Sequence, residues 1–142
     1  MSTVGTRGKS AEDLVKKYCL NRAAKEAAFT YYRPPDARGG SLVVAPADFM
    51  LLYAGTFTLL EIKECQHDYR LPHNNFSSGQ IARMRVWQEA GAVSWVAVRF
   101  MPKDVWRIAQ VDYFLETEGG SWDMRKYPEH SLTEALEIII RL

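Results

Sequence analysis

No apolar run in this sequence approaches the roughly 20 residues that a membrane-spanning helix needs. Its start carries Arg7 and Lys9 but not the apolar stretch of a secretory signal, so a soluble, cytoplasmic protein with no membrane partner is expected. Cysteine is scarce. Cys19 and Cys65 are too few for a disulfide framework and lack metal-ligand spacing, which leaves reduced thiols in ordinary packing and gives no sign of zinc. His67, His73 and His130 show no ligand spacing either, and no serine or cysteine stands in a nucleophile motif. Neither repeats nor low-complexity tracts nor an interdomain linker interrupt the chain.

What is present is enough for one core. With 142 residues, 47% hydrophobic and 25% charged, the chain reads as a single domain over 1–142, with 1–7 mobile and 110–142 a C-terminal extension ending in a helix. The net charge of +1 hides an asymmetry: residues 1–40 hold eight Lys/Arg against four Asp/Glu, and residues 101–142 hold five against eight. A polyanion can dock at the basic end, but a solvated helix face accounts for the same residues.

Ser10 can cap a first helix running to about Ala28, with Ala11, Leu14, Val15, Tyr18 and Cys19 at helical spacing. The Pro-Pro and Gly-Gly pairs of Tyr32 to Ser41 follow, then two β-rich runs, Leu42 to Tyr53 and Thr56 to Lys63, joined at Ala54-Gly55 as a hairpin. A polar stretch, Cys65 to Ser78, leads to a second helix from about Gly79 to Ala90. Val93 to Phe100 reads as a buried strand, Val105 to Ala109 as a short one, and Ser131 with Glu134 as the capping box of the last helix. The order suggests an α/β fold, a mixed central sheet covered by helices.

The chemistry enters by counting. If Ala54-Gly55 is a two-residue loop, Tyr53 pairs with Thr56, and Asp48 then faces Glu61 with β-carbons roughly 4.5 to 5.5 Å apart. Lys63 projects from the same face, two residues beyond Glu61. Opposed carboxylates destabilise a sheet unless something offsets their repulsion, and a hard divalent cation, Mg²⁺ with Mn²⁺ as substitute, does so. Asp48, Glu61 and a nearby backbone carbonyl, that of Ile62, are the candidate ligands, and Lys63 is the group that stabilises charge on phosphate or orients water. An exposed ion pair on an edge strand is the plainer reading of Glu61 and Lys63, and a bulge would change the count.

Two helix residues extend the constellation. Glu12 falls inside the apolar arc of the first helix, as a possible third acid and metal ligand or as a simple complement to the helix dipole. Gln80 lies on the face of Ile81, Met84 and Trp87, although Ser77 to Gln80 also matches a capping box. Trp87, Trp95, Trp106 and Phe100 read as core rather than as base-stacking platforms.

These residues resemble the Holliday-junction resolvases of the PD-(D/E)xK nuclease superfamily, the RecU and archaeal Hjc enzymes. Pro46-Ala47-Asp48-Phe49 looks like the family's acidic motif and Glu61-Ile62-Lys63 like its E-x-K motif. Gly8 to Glu12 is similar to the Gly-x-x-x-Glu that opens the first helix, and Phe76 to Met84 with Val93 to Phe100 resembles the segment around the helix glutamine. The resemblance covers most of residues 5–100. It implies a restriction-endonuclease-like core, catalytic Glu12, Asp48, Glu61, Lys63 and Gln80, and a homodimer that makes paired, Mg²⁺-dependent nicks across a four-way junction in a prokaryotic or phage-infected cell. Arg7, Lys9, Arg38 and Ser41 are the candidate DNA contacts. The chain departs from the family in lacking RecU's stalk insertion before Asp48, and in having Pro34 to Ser41 where Hjc-like enzymes place a loop serine. A related nuclease acting on linear duplex or other branched DNA, and a non-catalytic DNA-binding recombination accessory protein, are the alternatives.

Overall fold

A computed structural model describes residues 10–35, 45–115 and 119–141. Arg7, Lys9, Arg38 and Ser41, the start at 1–7, and residues 42–44 of the first β-run lie outside the described residues. Helix α1 spans Ala11–Lys25; the Ser10 side chain caps it by accepting from the Asp13 N–H, and Ala11, Val15, Cys19 and Arg22 form its buried stripe. It stops before Ala28. The backbone is already extended at Glu26, and Phe29–Tyr32, which the sequence pattern leaves without an element, forms strand β1. Aromatic and β-branched residues suit a pleated surface, and pairing with the next strand decides the outcome.

That next strand is β2, Phe49–Tyr53, followed by β3, Thr56–Cys65. Tyr53 pairs with Thr56 and Phe49 with Leu60, so the counted register holds. The turn achieves it with two consecutive positive φ angles, 48° at Ala54 and 90° at Gly55, the left-handed backbone that a primed two-residue turn requires. Strand β5, Val93–Phe100, lies parallel to β3, and β6, Val105–Gln110, antiparallel to β5, giving a five-stranded sheet of order β1-β2-β3-β5-β6. Helix α2, Gln80–Glu89, lies on the crossover between the two parallel strands. Within the stretch read as a polar loop, Arg70–Pro72 forms β4, which pairs with β7, Ser121–Asp123, in a second small sheet.

Alternation along β3 and β5 sends side chains into two cores. On one face, Leu60, Ile62, Trp95 and Ala97 meet α1 and the last helix, α3, Leu132–Arg141. On the other, Leu59, Cys65, Val96 and Val98 meet Met84 of α2, Leu71 of β4 and Trp122 of β7. The stretch expected as a C-terminal extension is threaded into both: Leu136 and Ile139 are buried on the first face, Val111, Phe114 and Met124 on the second. Helix α3 begins with the expected box, Ser131 N–H to Glu134 Oε1 at 2.9 Å and Glu134 N–H to Ser131 Oγ at 3.2 Å. Of the aromatic residues expected in the core, Trp95, Trp106 and Phe100 are there, but Trp87 is 39% exposed because α2 turns only Met84 fully inward. No described helix is long and apolar enough to cross a membrane.

Since Ala54 holds a conformation that costs an L-residue roughly 1–2 kcal/mol, and asparagine adopts it more readily, Ala54→Asn should raise stability by up to about 1 kcal/mol. Urea unfolding should show the midpoint rising with an unchanged slope, and a fall in midpoint would count against the turn as described.

Candidate active site

The β2–β3 ladder ends at Phe49–Leu60, yet β3 continues to Cys65, paired there only with β5. At this step side chains replace backbone partners. The Asp48 N–H donates to Glu61 Oε1 at 3.1 Å, and the Ile62 N–H donates to Asp48 Oδ2 at 2.9 Å. Each carboxyl holds the other residue's strand in place, so the opposition reached by counting is reinforced by reciprocal hydrogen bonds. In an extended strand the N–H and C=O of one residue point the same way, and the Ile62 carbonyl therefore faces the side that β2 has vacated.

Glu61 is buried, at 3% exposure. Burial, then the neighbouring Glu61 charge, push the Asp48 carboxyl up to about 7, while the Ile62 N–H and Lys63 pull the other way. Lys63 Nζ stands 3.0 Å from Glu61 Oε2, donates to Gln80 Oε1 at 3.1 Å, and lies 4.6 Å from the centre of the Phe76 ring. Glu61 and Lys63 are thus not an exposed edge pair.

Gln80 reaches Lys63 because α2 starts late. Gly79, at φ 78°, turns the chain into the helix, and the N-terminus has no side-chain cap. The capping box expected from Ser77 to Gln80 is absent, and the Gln80 side chain points instead to the lysine.

Glu12 reaches the same region from the other layer. Its Oε1 accepts from Arg33 Nη2 at 3.1 Å, and it lines a cleft of about 360 Å³ with Ser10, Ala11, Ile62, Lys63, Glu64 and Asn75. The described residues contain no group of three His, Cys, Asp or Glu side chains placed to hold a metal ion. Glu12 stands in the cleft wall, and its helix α1 packs on the opposite face of the sheet from the one that Glu61 and Lys63 share. Arg33, Glu64, Asn75 and Phe76 were not singled out by the sequence reading. Glu64 Oε1 accepts the Ala11 N–H at 2.9 Å and lies 3.4 Å from Arg99, fastening α1 to β3; nothing in the local pattern marks such a long-range cap.

A buried carboxylate, Glu61, beside a half-buried one, Asp48, that is held up to about 7, is a place where a divalent cation can replace a proton. Two carboxylates with water and phosphate oxygens match how Mg²⁺ is usually held. The mixed sheet flanked by helices, with an aspartate at a strand end, Glu-x-Lys on the neighbouring strand and a glutamine opening the crossover helix, has the architecture of a PD-(D/E)xK nuclease core. The family model of RecU, Recombination protein U, matches residues 44–128, more than half of the sequence, and the chain belongs to this family of Holliday-junction resolvases. Asp48, Glu61, Lys63 and Gln80 all fall within the matched residues, and Glu12 outside them. The structure of Hjc from Archaeoglobus fulgidus, a Holliday junction resolvase from an archaeal hyperthermophile, is similar in fold, with a TM-score of 0.57 and 22% identity over 84% of this chain and 95% of that one. No curated protein matches the sequence.

A carboxyl raised in the folded state favours folding when protonated, and that contribution is lost as pH rises from the ordinary carboxylate range through about 7. Metal-free protein should therefore lose stability over this window more than Asp48→Asn does. Mg²⁺ or Mn²⁺ should raise the melting temperature more at pH 8 than at pH 5.5, because only the deprotonated pair binds a cation. Equal shifts at both pH values would show that the cation binds elsewhere.

Proposed function

We propose that this protein, as a single nuclease domain over 1–142, resolves four-way DNA junctions by paired metal-dependent nicks, with Mg²⁺ as its usual ion and Mn²⁺ as a substitute. The observation that carries this reading is the reciprocal Asp48–Glu61 pair with Lys63 at 3.0 Å. Asp48, Glu61 and the Ile62 carbonyl would hold the ion, which when bound supplies Lewis-acid polarisation and a more acidic water. Hydrolysis adds the water oxygen to phosphorus and breaks one P–O ester bond, the departing sugar oxygen taking up a proton. Lys63, fixed between Glu61 and Gln80, places its ammonium where negative charge develops on the phosphate oxygens. Glu12 acts from the cleft wall as an accessory acid, its charge held by Arg33.

Asp48→Asn removes a ligand charge while retaining an oxygen that can accept the Ile62 N–H. Cleavage of a four-way junction should fall by at least about a thousandfold, since the metal-linked contribution is several kcal/mol, with junction binding kept or tightened. Mg²⁺-dependent cleavage persisting in the folded variant would remove this site from consideration. Comparing junction with linear duplex of equal sequence tests the substrate: equal rates would favour a duplex-cutting nuclease, and no cleavage of either an accessory protein.

One chain has one acidic pair, whereas resolution takes two incisions, so a two-fold dimer supplies the second. Leu52 and Phe57 face each other across β2 and β3, the Trp87 ring lies 6.0 Å from Phe57, and Leu52, Val86 and Trp87 are 41%, 66% and 39% exposed. We assign this apolar patch to the dimer contact. Trp87→Glu should shift the protein to monomer in sedimentation and convert paired nicking to isolated nicks. A stable dimer in that variant would place the contact elsewhere.

A further inference from the structure

Beyond the small β4–β7 sheet lies a second cluster that the acidic site does not use. A cavity of about 390 Å³ is lined by Arg70, Asp112, Tyr113, Ser121, Trp122, Asp123 and Lys126. The cations that line it, Arg70 and Lys126, and Arg125 beside them on Asp123 rest on aromatic rings: Arg125 lies 4.2 Å from the Tyr69 ring centre, Arg70 5.7 Å from the same ring, and Lys126 4.5 Å and 5.3 Å from those of Tyr113 and Tyr127. We propose that Arg70, Arg125 and Lys126 form a DNA-backbone contact surface, which grips the phosphates of the strand leading away from the cleavage site. This rests on the nuclease reading above and adds to it where the substrate runs.

The surface is built, not a chance gathering of side chains. Arg107 of β6, 8% exposed, donates to the carbonyls of Met124, Arg125 and Tyr127 and pairs with Glu129 at 3.2 Å, which fixes the loop that carries Arg125 and Lys126. The Met124 N–H donates to the Tyr69 carbonyl at 2.9 Å, and the Tyr113 hydroxyl donates to the Asp123 carbonyl. The two acids at the cavity are already engaged. Asp123 holds Arg125 at 2.6 Å and Arg70 at 3.8 Å, and Asp112 accepts from Gln88 at 2.9 Å and faces Arg85 at 3.7 Å. Lys126 is exposed, with ring contacts and no carboxylate partner among the described residues.

Position makes the partner DNA. From Lys63 Nζ to the Phe76 ring is 4.6 Å, and from that ring to Trp122, which lines the cavity, is 5.4 Å. One aromatic ring, Phe76, thus joins the active-site lysine to a residue of the cavity wall. Segment 70–75 makes the same connection along the chain, with Arg70 at the cavity and Asn75 in the active-site cleft. Cations on ring faces keep their outward N–H groups available to phosphate oxygens while the rings hold them in place.

The test is binding of a four-way junction to the full chain without divalent metal, titrated with salt, for unchanged protein, Lys126→Gln and the combined Arg70→Gln, Arg125→Gln, Lys126→Gln variant. Each lost phosphate contact should reduce the slope of log affinity against log salt by about one, so the single variant should lose about one and the triple two to three. Affinity should fall several-fold for Lys126→Gln and further for the triple, with the cleavage rate at saturating junction within about twofold of unchanged protein. If the triple variant fails to fold, the single one carries the test, because Lys126 is exposed and makes no ion pair among the described residues. Unchanged slope and affinity in a folded variant overturn the proposal while leaving the nuclease intact. Failure of unchanged protein to bind or cut the junction overturns the nuclease reading, and this proposal with it.

Discussion

The structure around the cleft depends on the exchange of hydrogen bonds between Asp48 and Glu61. A β-ladder that ends inside a sheet leaves backbone donors without partners, and an unpaired buried N–H is costly. Here the two carboxyls supply the acceptors: Glu61 takes the Asp48 N–H, Asp48 takes the Ile62 N–H, and β3 can then run on to Cys65 without β2 beside it. The same two groups that terminate the ladder are the ones to which the proposed function gives the metal. Their repulsion, heightened by burial, is the conflict that a proton on Asp48 or a bound cation would relieve.

Much of this was legible in the sequence because it followed from a period of two and one turn. Once Ala54-Gly55 is taken as a two-residue loop, the position of Asp48 opposite Glu61 and the shared face of Lys63 are arithmetic, and the observed register agrees. Capping signals at Ser10 and at Ser131 with Glu134 were read correctly for the same reason, being local. What failed was decided by distant partners. Phe29–Tyr32 has no strand signal strong enough to end a helix, and becomes a strand by pairing with β2. Arg70–Pro72 is too short to read alone and exists because Ser121–Asp123 lies beside it. Gln80 fitted both a cap and the site by spacing, and what decides for the site is a lysine on another element, about which local spacing carries no information.

The parallel pairing of β3 with β5 explains why the glutamine reaches the lysine. A parallel connection requires a crossover, and the crossover helix packs over the face from which Glu61 and Lys63 project. Its first residue arrives beside the end of β3, with Gly79 supplying the left-handed turn that aims it there. Phe76, just upstream, lies under the lysine and contacts Trp122. The residues after 110, read from sequence as an extension, therefore support the floor of the site.

Rigidity at the end of β3 comes from opposite uses of its two faces. Glu61 and Lys63 turn toward α2, while Ile62 packs in the core under α1 and Glu64 caps that helix at Ala11. Arg99, 1% exposed and 2.7 Å from Asp104, holds Glu64 in turn. Any shift of β3 along its axis would have to break the cap on α1, the Ile62 bond to Asp48 and the Lys63 contacts together, so the strand has one position in which all are satisfied. Glu12 shares α1's first turn with Ala11, and its distance from Lys63 across the cleft is set by that cap. The cleft's two walls, though they belong to different layers, are thereby fixed to a single strand, so that under the proposed function their groups would not need to reorganise to receive a phosphate.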